Sequence, residues 1–82
     1  MKLSEAVSKR ICELCEQKGL SHYKLSKLSS VRESTISSLV NCKYTNIKLV
    51  SIMQLCIGFG ITIKEFFDSP LFDSDTIHKG FL

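Results

Sequence analysis

Apolar residues recur along this chain at helical spacing in five successive blocks. In the first, Leu3, Val7, Ile11, Leu14 and Cys15 share one face of a helix over residues 3–18, and Gly19 stands where a C-cap would. Leu20, Tyr23, Leu25 and Leu28 then line one face of a short helix of about Ser21 to Leu28, with Ser21 as its N-cap. Ser29-Ser30 breaks the period, and Val31 is the one apolar residue of a tight turn. Ile36, Leu39 and Val40 restart the stripe in a third helix of about Arg32 to Val40. From about Ile47 to Phe59, Leu49, Ile52, Met53, Leu55 and Cys56 make a fourth helix apolar nearly all round, which predicts a central position, and Gly58-Phe59-Gly60 ends it. In the fifth block Thr62-x-x-Glu65 fits a capping box, Ile61 and Phe66 are placed as a hydrophobic staple, and Pro70 stops the last helix. The pattern predicts an all-α, compact five-helix domain.

The second and third helices form a helix-turn-helix. Its third helix leaves Arg32, Glu33, Ser34, Ser37 and Ser38 facing outward. A short, polar, hydrogen-bonding face is what entry into a DNA major groove requires, because base edges are read by donors and acceptors at close range.

Leu20-Ser21, Leu25, Val31, Ser34-Thr35-Ile36, Leu39 and Asn41-x-Lys43, followed by Asn46, Leu55-Cys56, Gly58-x-Gly60-Ile61-Thr62 and Glu65-Phe66-Phe67, resemble the lambda-repressor-like, XRE-type helix-turn-helix regulators over roughly residues 3–68. The resemblance implies a DNA-binding domain with its helix-turn-helix at helices 2 and 3. It also implies base-edge contacts from Ser34 and Ser38 and backbone contacts from Lys43, Tyr44 and Asn46. Several positions depart from the family pattern. An arginine–glutamate pair common in the family is replaced by Cys15 and Val40, an exchange of an ion pair for apolar contact. Ser26 stands for a usual alanine and Ser30 for a usual glycine, where a positive φ would carry a cost. Arg32 takes the place of the usual N-cap of helix 3, so Ser30-x-x-Glu33 is an alternative capping box that would make Glu33 a structural cap rather than a base reader. Cys42 replaces the usual glycine after helix 3, and Asn41 is the residue expected to take the left-handed conformation.

Charge adds a direction to this picture. The formal net charge is +3, but from His22 to Lys48 there are five cations, Lys24, Lys27, Arg32, Lys43 and Lys48, and a single anion, Glu33. From Glu65 to Leu82, Glu65, Asp68, Asp73 and Asp75 face only Lys79. Basic charge therefore sits with the helix-turn-helix, as expected if that face meets phosphate. Lys24, Lys27 and Lys43 are the phosphate candidates by charge, with Tyr44 and Asn46 beside them. Ser21 and His22 join them because they open helix 2, where free amides and the positive dipole end suit a phosphate oxygen. Arg32 to guanine and Glu33 to cytosine are the stronger base-reading options beside Ser34, Ser37 and Ser38.

Eighty-two residues bound the chain to one core. Residues 1–70 are expected to form the DNA-binding domain. Residues 71–82 form an acidic and apolar tail, docked on the core or at a dimer interface, with Phe66, Phe67, Phe72 and Phe81 as the dimer candidates. Cys12-x-x-Cys15 has zinc-site spacing without a second pair, and Cys12, Cys15 and Cys56 fall on apolar stripes, so reduced thiols and no metal or cofactor are expected. The chain has no phosphate-cradling glycine loop, nucleophile elbow or carboxylate pair on one helical face, so an enzyme is not expected, nor is a small-molecule effector. No apolar run spans a membrane and the N-terminus lacks a signal-peptide pattern, which predicts a cytoplasmic protein. The resulting expectation is a sequence-specific regulator of double-stranded DNA, a repressor acting as a homodimer on a palindromic operator. The rival is a protein-interaction module of the same fold that has lost DNA contact.

Overall fold

Local chemistry sets the helix ends in the computed structural model, which describes residues 1–44 and 46–73. Five α-helices succeed one another: α1 (Leu3–Lys18), α2 (His22–Ser29), α3 (Glu33–Val40), α4 (Leu49–Phe59) and α5 (Ile63–Phe67). A 3-10 turn, Pro70–Phe72, comes after them. Ser21 caps α2 by accepting the Lys24 N–H at 3.1 Å. Thr62 and Glu65 form the reciprocal capping box of α5, at 3.0 and 2.9 Å. The Thr62 N–H, and after it the Thr62 hydroxyl, hold the Glu65 carboxyl below the ordinary glutamate range. Gly19 and Gly60 are left-handed and close α1 and α4 with paired N–H bonds back into the last turn.

Both ends of α3 differ from expectation. Helix α3 closes in the same paired way, with the Cys42 N–H on the Leu39 carbonyl and the Lys43 N–H on the Ser38 carbonyl. The left-handed residue is thus Cys42 (φ 57°), one place beyond Asn41 (φ −88°), because this closure puts the positive φ at the residue whose N–H makes the shorter-range bond of the pair, here that to Leu39. Ser30 is the left-handed C-cap of α2, with φ 62°. It therefore cannot N-cap α3, and the Ser30-x-x-Glu33 capping box does not form; Arg32 occupies the N-cap position without a side-chain bond. Other bonds hold the turn. The Ser26 hydroxyl donates to the Val31 carbonyl at 2.6 Å, and the Ser29 hydroxyl accepts the Val31 N–H at 3.2 Å. Ser30→Gly is expected to raise stability by about 0.5–1 kcal/mol, since a side chain in the left-handed region is strained. A higher urea midpoint with an unchanged slope would report it.

The core is built from all five helices. Val7, Ile11, Leu14 and Cys15 of α1, Leu25 of α2, Val31, Ile36 and Leu39, Ile52, Leu55, Cys56 and Phe59 of α4, and Phe66 of α5 form one buried cluster. Ile61 packs on it as well. Burial pushes the Cys15 and Cys56 thiols above their ordinary value, with Cys12 adding to the effect on Cys15, so both are neutral apolar fillers. Cys12, expected on the apolar stripe, is exposed instead. Val40 packs against this core near α1, and its carbonyl accepts the Ser8 hydroxyl at 2.6 Å. Apolar packing and a hydroxyl bond thus hold the end of α3 to the core and to α1.

Two further contacts set the frame. A Cβ added at Gly58 of α4 would lie 2.7 Å from the Ser29 Cβ and 3.1 Å from its Cα, so α2 and α4 cross at backbone contact. Arg10 donates from Nε to the Phe66 carbonyl at 2.7 Å and from Nη2 to the Glu65 carbonyl at 2.8 Å, and pairs with Glu13 at 3.3 Å. It ties the C-terminal carbonyls of α5 to α1, a role its place in the sequence did not suggest. Phe66 and Phe72 turn inward rather than outward. Phe66 is fully buried, Phe72 packs on the core, and Phe67 stacks edge-on against both. Phe81 lies outside the described residues. Among those residues no helix is long and apolar enough to cross a membrane, and no cluster of metal-ligating side chains occurs.

Candidate nucleic-acid interface

With Ile36 and Leu39 buried and Val40 half-buried, the opposite face of α3 is fixed by the helical rotation of about 100° per residue. Ser34, Ser37 and Ser38 fall on that face. Ser34 is exposed, whereas Ser37 and Ser38 are half-buried. Arg32 and Glu33 project from the helix start and are exposed. Because no capping box forms, the Glu33 carboxylate is free of structural duty at the helix end. The five sequence-predicted base readers therefore lie together on or at the head of one short helix.

One neighbour was missed by the sequence reading. Asn41 is exposed, continues the same face one turn beyond Ser37, and donates from Nδ2 to the Ser37 hydroxyl at 3.3 Å. An amide that can present donor and acceptor together is a better-equipped base reader than serine. The expectation of a left-handed cap at Asn41 concealed it.

The cations flank this face. Lys24 and Lys27 are exposed on α2, with the Lys27 ammonium 5.4 Å from the centre of the Tyr23 ring. Tyr23 and Leu28, expected on the buried face, are 60% and 48% exposed, because only Leu25 and Ser29 of α2 point into the α4 crossing. A shallow groove joins Tyr23, Ser26 and Lys27 of α2 to Arg32 and Glu33. Beyond α3, Lys43, Tyr44 and Asn46 are exposed. There a small cavity of about 260 Å³ runs from Thr35 and Leu39 past Tyr44 and Asn46 to Lys48 and Ser51. Among the described residues the single ion pair is Arg10 with Glu13, so no described carboxylate pairs with Lys24, Lys27, Arg32, Lys43 or Lys48. Ser21 is exposed but its hydroxyl is engaged in the cap, and His22 is half-buried at the first turn of α2. The arrangement is a polar helix face between two sets of exposed cations.

A profile of the Cro/C1-type HTH DNA-binding domain matches residues 10–70. The chain belongs to this family. No curated protein and no solved structure matches it. The family domain ends at the 3-10 turn and takes in everything that builds the face just described, from the α1 residue Arg10 to Pro70. As a Cro/C1-type domain the chain is a DNA-binding regulator, and the matched residues take in Leu20-Ser21, Leu25, Val31, Ser34-Thr35-Ile36 and the Gly58-to-Phe67 segment.

Proposed function

We propose that this Cro/C1-type domain is a sequence-specific repressor that reads double-stranded DNA in the major groove with α3. The observation that carries the reading is the compact polar face of Ser34, Ser37 and Ser38, headed by Arg32 and Glu33 and bracketed by cations that pair with no described carboxylate. Arg32 is the guanine reader and Glu33 the cytosine reader; the serines add short, permissive contacts, and Asn41 supplies an amide. Ser21 and His22 at the start of α2, Lys24 and Lys27 along it, and Lys43, Tyr44 and Asn46 after α3 hold the phosphates and set the register. One such helix contacts too few base pairs for operator-level specificity. Two copies on a two-fold site, with half-sites about 34 Å apart, supply the rest. Repression results from occupancy, since a covered operator is closed to other proteins.

Selection of the full chain against random duplex DNA at two salt concentrations tests this. Enrichment of an inverted repeat, with affinity falling steeply as salt rises, is the expected result, because each neutralised phosphate releases counterions. Absence of any enriched sequence together with a flat salt response would overturn it and point to a protein-interaction module.

A further inference from the structure

The cavity of about 260 Å³ between α3 and α4 has a lining of two kinds. Its apolar part is the buried Leu39, the half-buried Ile47 and the ring of Tyr44. Its polar part is Thr35, Asn46, Lys48 and Ser51. Among the described residues no hydrogen bond or ion pair engages any of these four side chains, so their polar groups are available to a guest. Small-molecule sites have this make-up: apolar surface supplies affinity, and a few convergent polar groups fix orientation. Of the seven lining residues, operator reading gives a task only to Tyr44 and Asn46.

We propose that this cavity binds a small planar aromatic carboxylate, and that its occupation competes with duplex DNA. Charge selects the head group. Lys48 is the one charged side chain of the lining, and no described carboxylate is there to repel an anion. A carboxylate beside that ammonium gains a charge-assisted hydrogen bond, and the Thr35 and Ser51 hydroxyls are donors for its other lone pairs. The apolar part selects the body. Inorganic phosphate is hydrated on all sides and gains nothing from Leu39 and Ile47, whereas an aromatic ring gains by leaving water for them and by stacking on Tyr44. Size sets the limit. The volume is that of roughly nine waters, enough for about ten non-hydrogen atoms and too little for a nucleotide.

Position supplies the consequence, and this part rests on the operator-reading function proposed above. Tyr44 and Asn46 are phosphate contacts in that reading and walls of the cavity in this one. Thr35 directly follows Ser34 on the recognition helix, and Lys48 is the N-cap residue of α4, so a guest sits between the base-reading helix and the loop that sets its register. Tyr44 and Asn46 turned onto a guest are withdrawn from the DNA backbone. The linkage is reciprocal, so DNA weakens the carboxylate by the same factor. No local motif announces such an effector site, because three separate segments meet to line it.

The probe is trans-cinnamate, a flat anion of the right size, with cinnamamide as its neutral isostere. Amide proton and nitrogen shifts of the full chain are followed up to about 10 mM of each. Cinnamate is expected to saturate with a Kd on the order of 0.1–1 mM, usual for so small a ligand, and to move the Thr35, Leu39 and Ser51 signals. Cinnamamide should bind at least about tenfold more weakly, and Lys48→Gln should remove that difference. Lys48 is exposed and its side chain makes no cap bond, so the fold should survive the change. Lys64→Gln, at an exposed cation of α5, should bind cinnamate as wild type does. Shifts that stay linear or lie elsewhere, equal binding of acid and amide, or an unaltered preference in Lys48→Gln would overturn the site. Cinnamate at about ten times its Kd should cut duplex affinity roughly tenfold relative to an equal concentration of sodium chloride. A saturated cavity with unchanged duplex affinity would overturn the competition. A chain that binds cinnamate at these residues but no duplex at any salt concentration fails the DNA-binding reading alone, since the shift titration needs no DNA.

Discussion

Phe66→Ala is expected to leave most of the protein unfolded or close to it. Phe66 is fully buried, and its ring is the hub of an aromatic cluster, with centroids 5.0 Å from Phe67 and 6.1 Å from Phe72. Truncating a buried phenylalanine costs about 3–5 kcal/mol, in lost transfer energy and in the cavity left behind. A domain of this size has roughly 5 kcal/mol of total stability, so the change consumes most of it. The site can collapse little, because Arg10 binds the Glu65 and Phe66 carbonyls and holds the α5 backbone in place on α1. Phe66→Leu keeps most of the volume and should cost under about 1.5 kcal/mol. Urea unfolding monitored by circular dichroism compares the two. Equal, small losses would show that the aromatic cluster is dispensable to the core.

The Arg32→Ala, Lys43→Ala double variant is expected to lose about 2–4 kcal/mol of duplex binding, roughly thirtyfold to several hundredfold, while the helices stay folded. Arg32 sits at the α3 N-cap position without a cap bond, and Lys43 contributes only its backbone N–H to the closure of α3. Both side chains are exposed, so their removal takes away charge and donors with little packing. The two losses have different signatures. Removing Lys43 should lower affinity alike on all sequences and shrink the salt slope by about one, whereas removing Arg32 should relax preference at one base position. Anisotropy titrations at several salt concentrations, beside a thermal melt, measure both. Retained affinity with an unchanged slope would remove these residues from the interface.

Much of the architecture was legible because it is decided over a few residues. Ser21, Gly19, Gly60 and the Thr62–Glu65 pair end helices through bonds within one turn of themselves, and each stands where its residue type suggests. Helix α1 runs over Leu3–Lys18 as the spacing of Leu3, Val7, Ile11 and Leu14 indicates. The candidate interface was legible for the same reason. The outward face of α3 is the complement of Ile36 and Leu39, and charge can be counted along the chain.

The rest depended on contacts between distant positions. Periodicity gives the phase of a helix only when polar residues mark one side. Helix α4 has no charged residue, so nothing in its pattern told Ile52, Leu55 and Phe59 from Leu49, Val50, Met53 and Ile57; the contact of Gly58 with Ser29 turned it. The same crossing turned Tyr23 and Leu28 outward on α2. The left-handed residue after α3 could have been Asn41 or Cys42 by residue type, and the pair of bonds to Ser38 and Leu39 assigned it to Cys42. Arg10 reaches carbonyls 55 and 56 residues away, a partnership no local signal encodes. Caps, turns and amphipathic stripes are short-range and written in residue type, whereas helix phase and long side-chain reach are settled only when the packed helices choose which of several apolar arcs to bury.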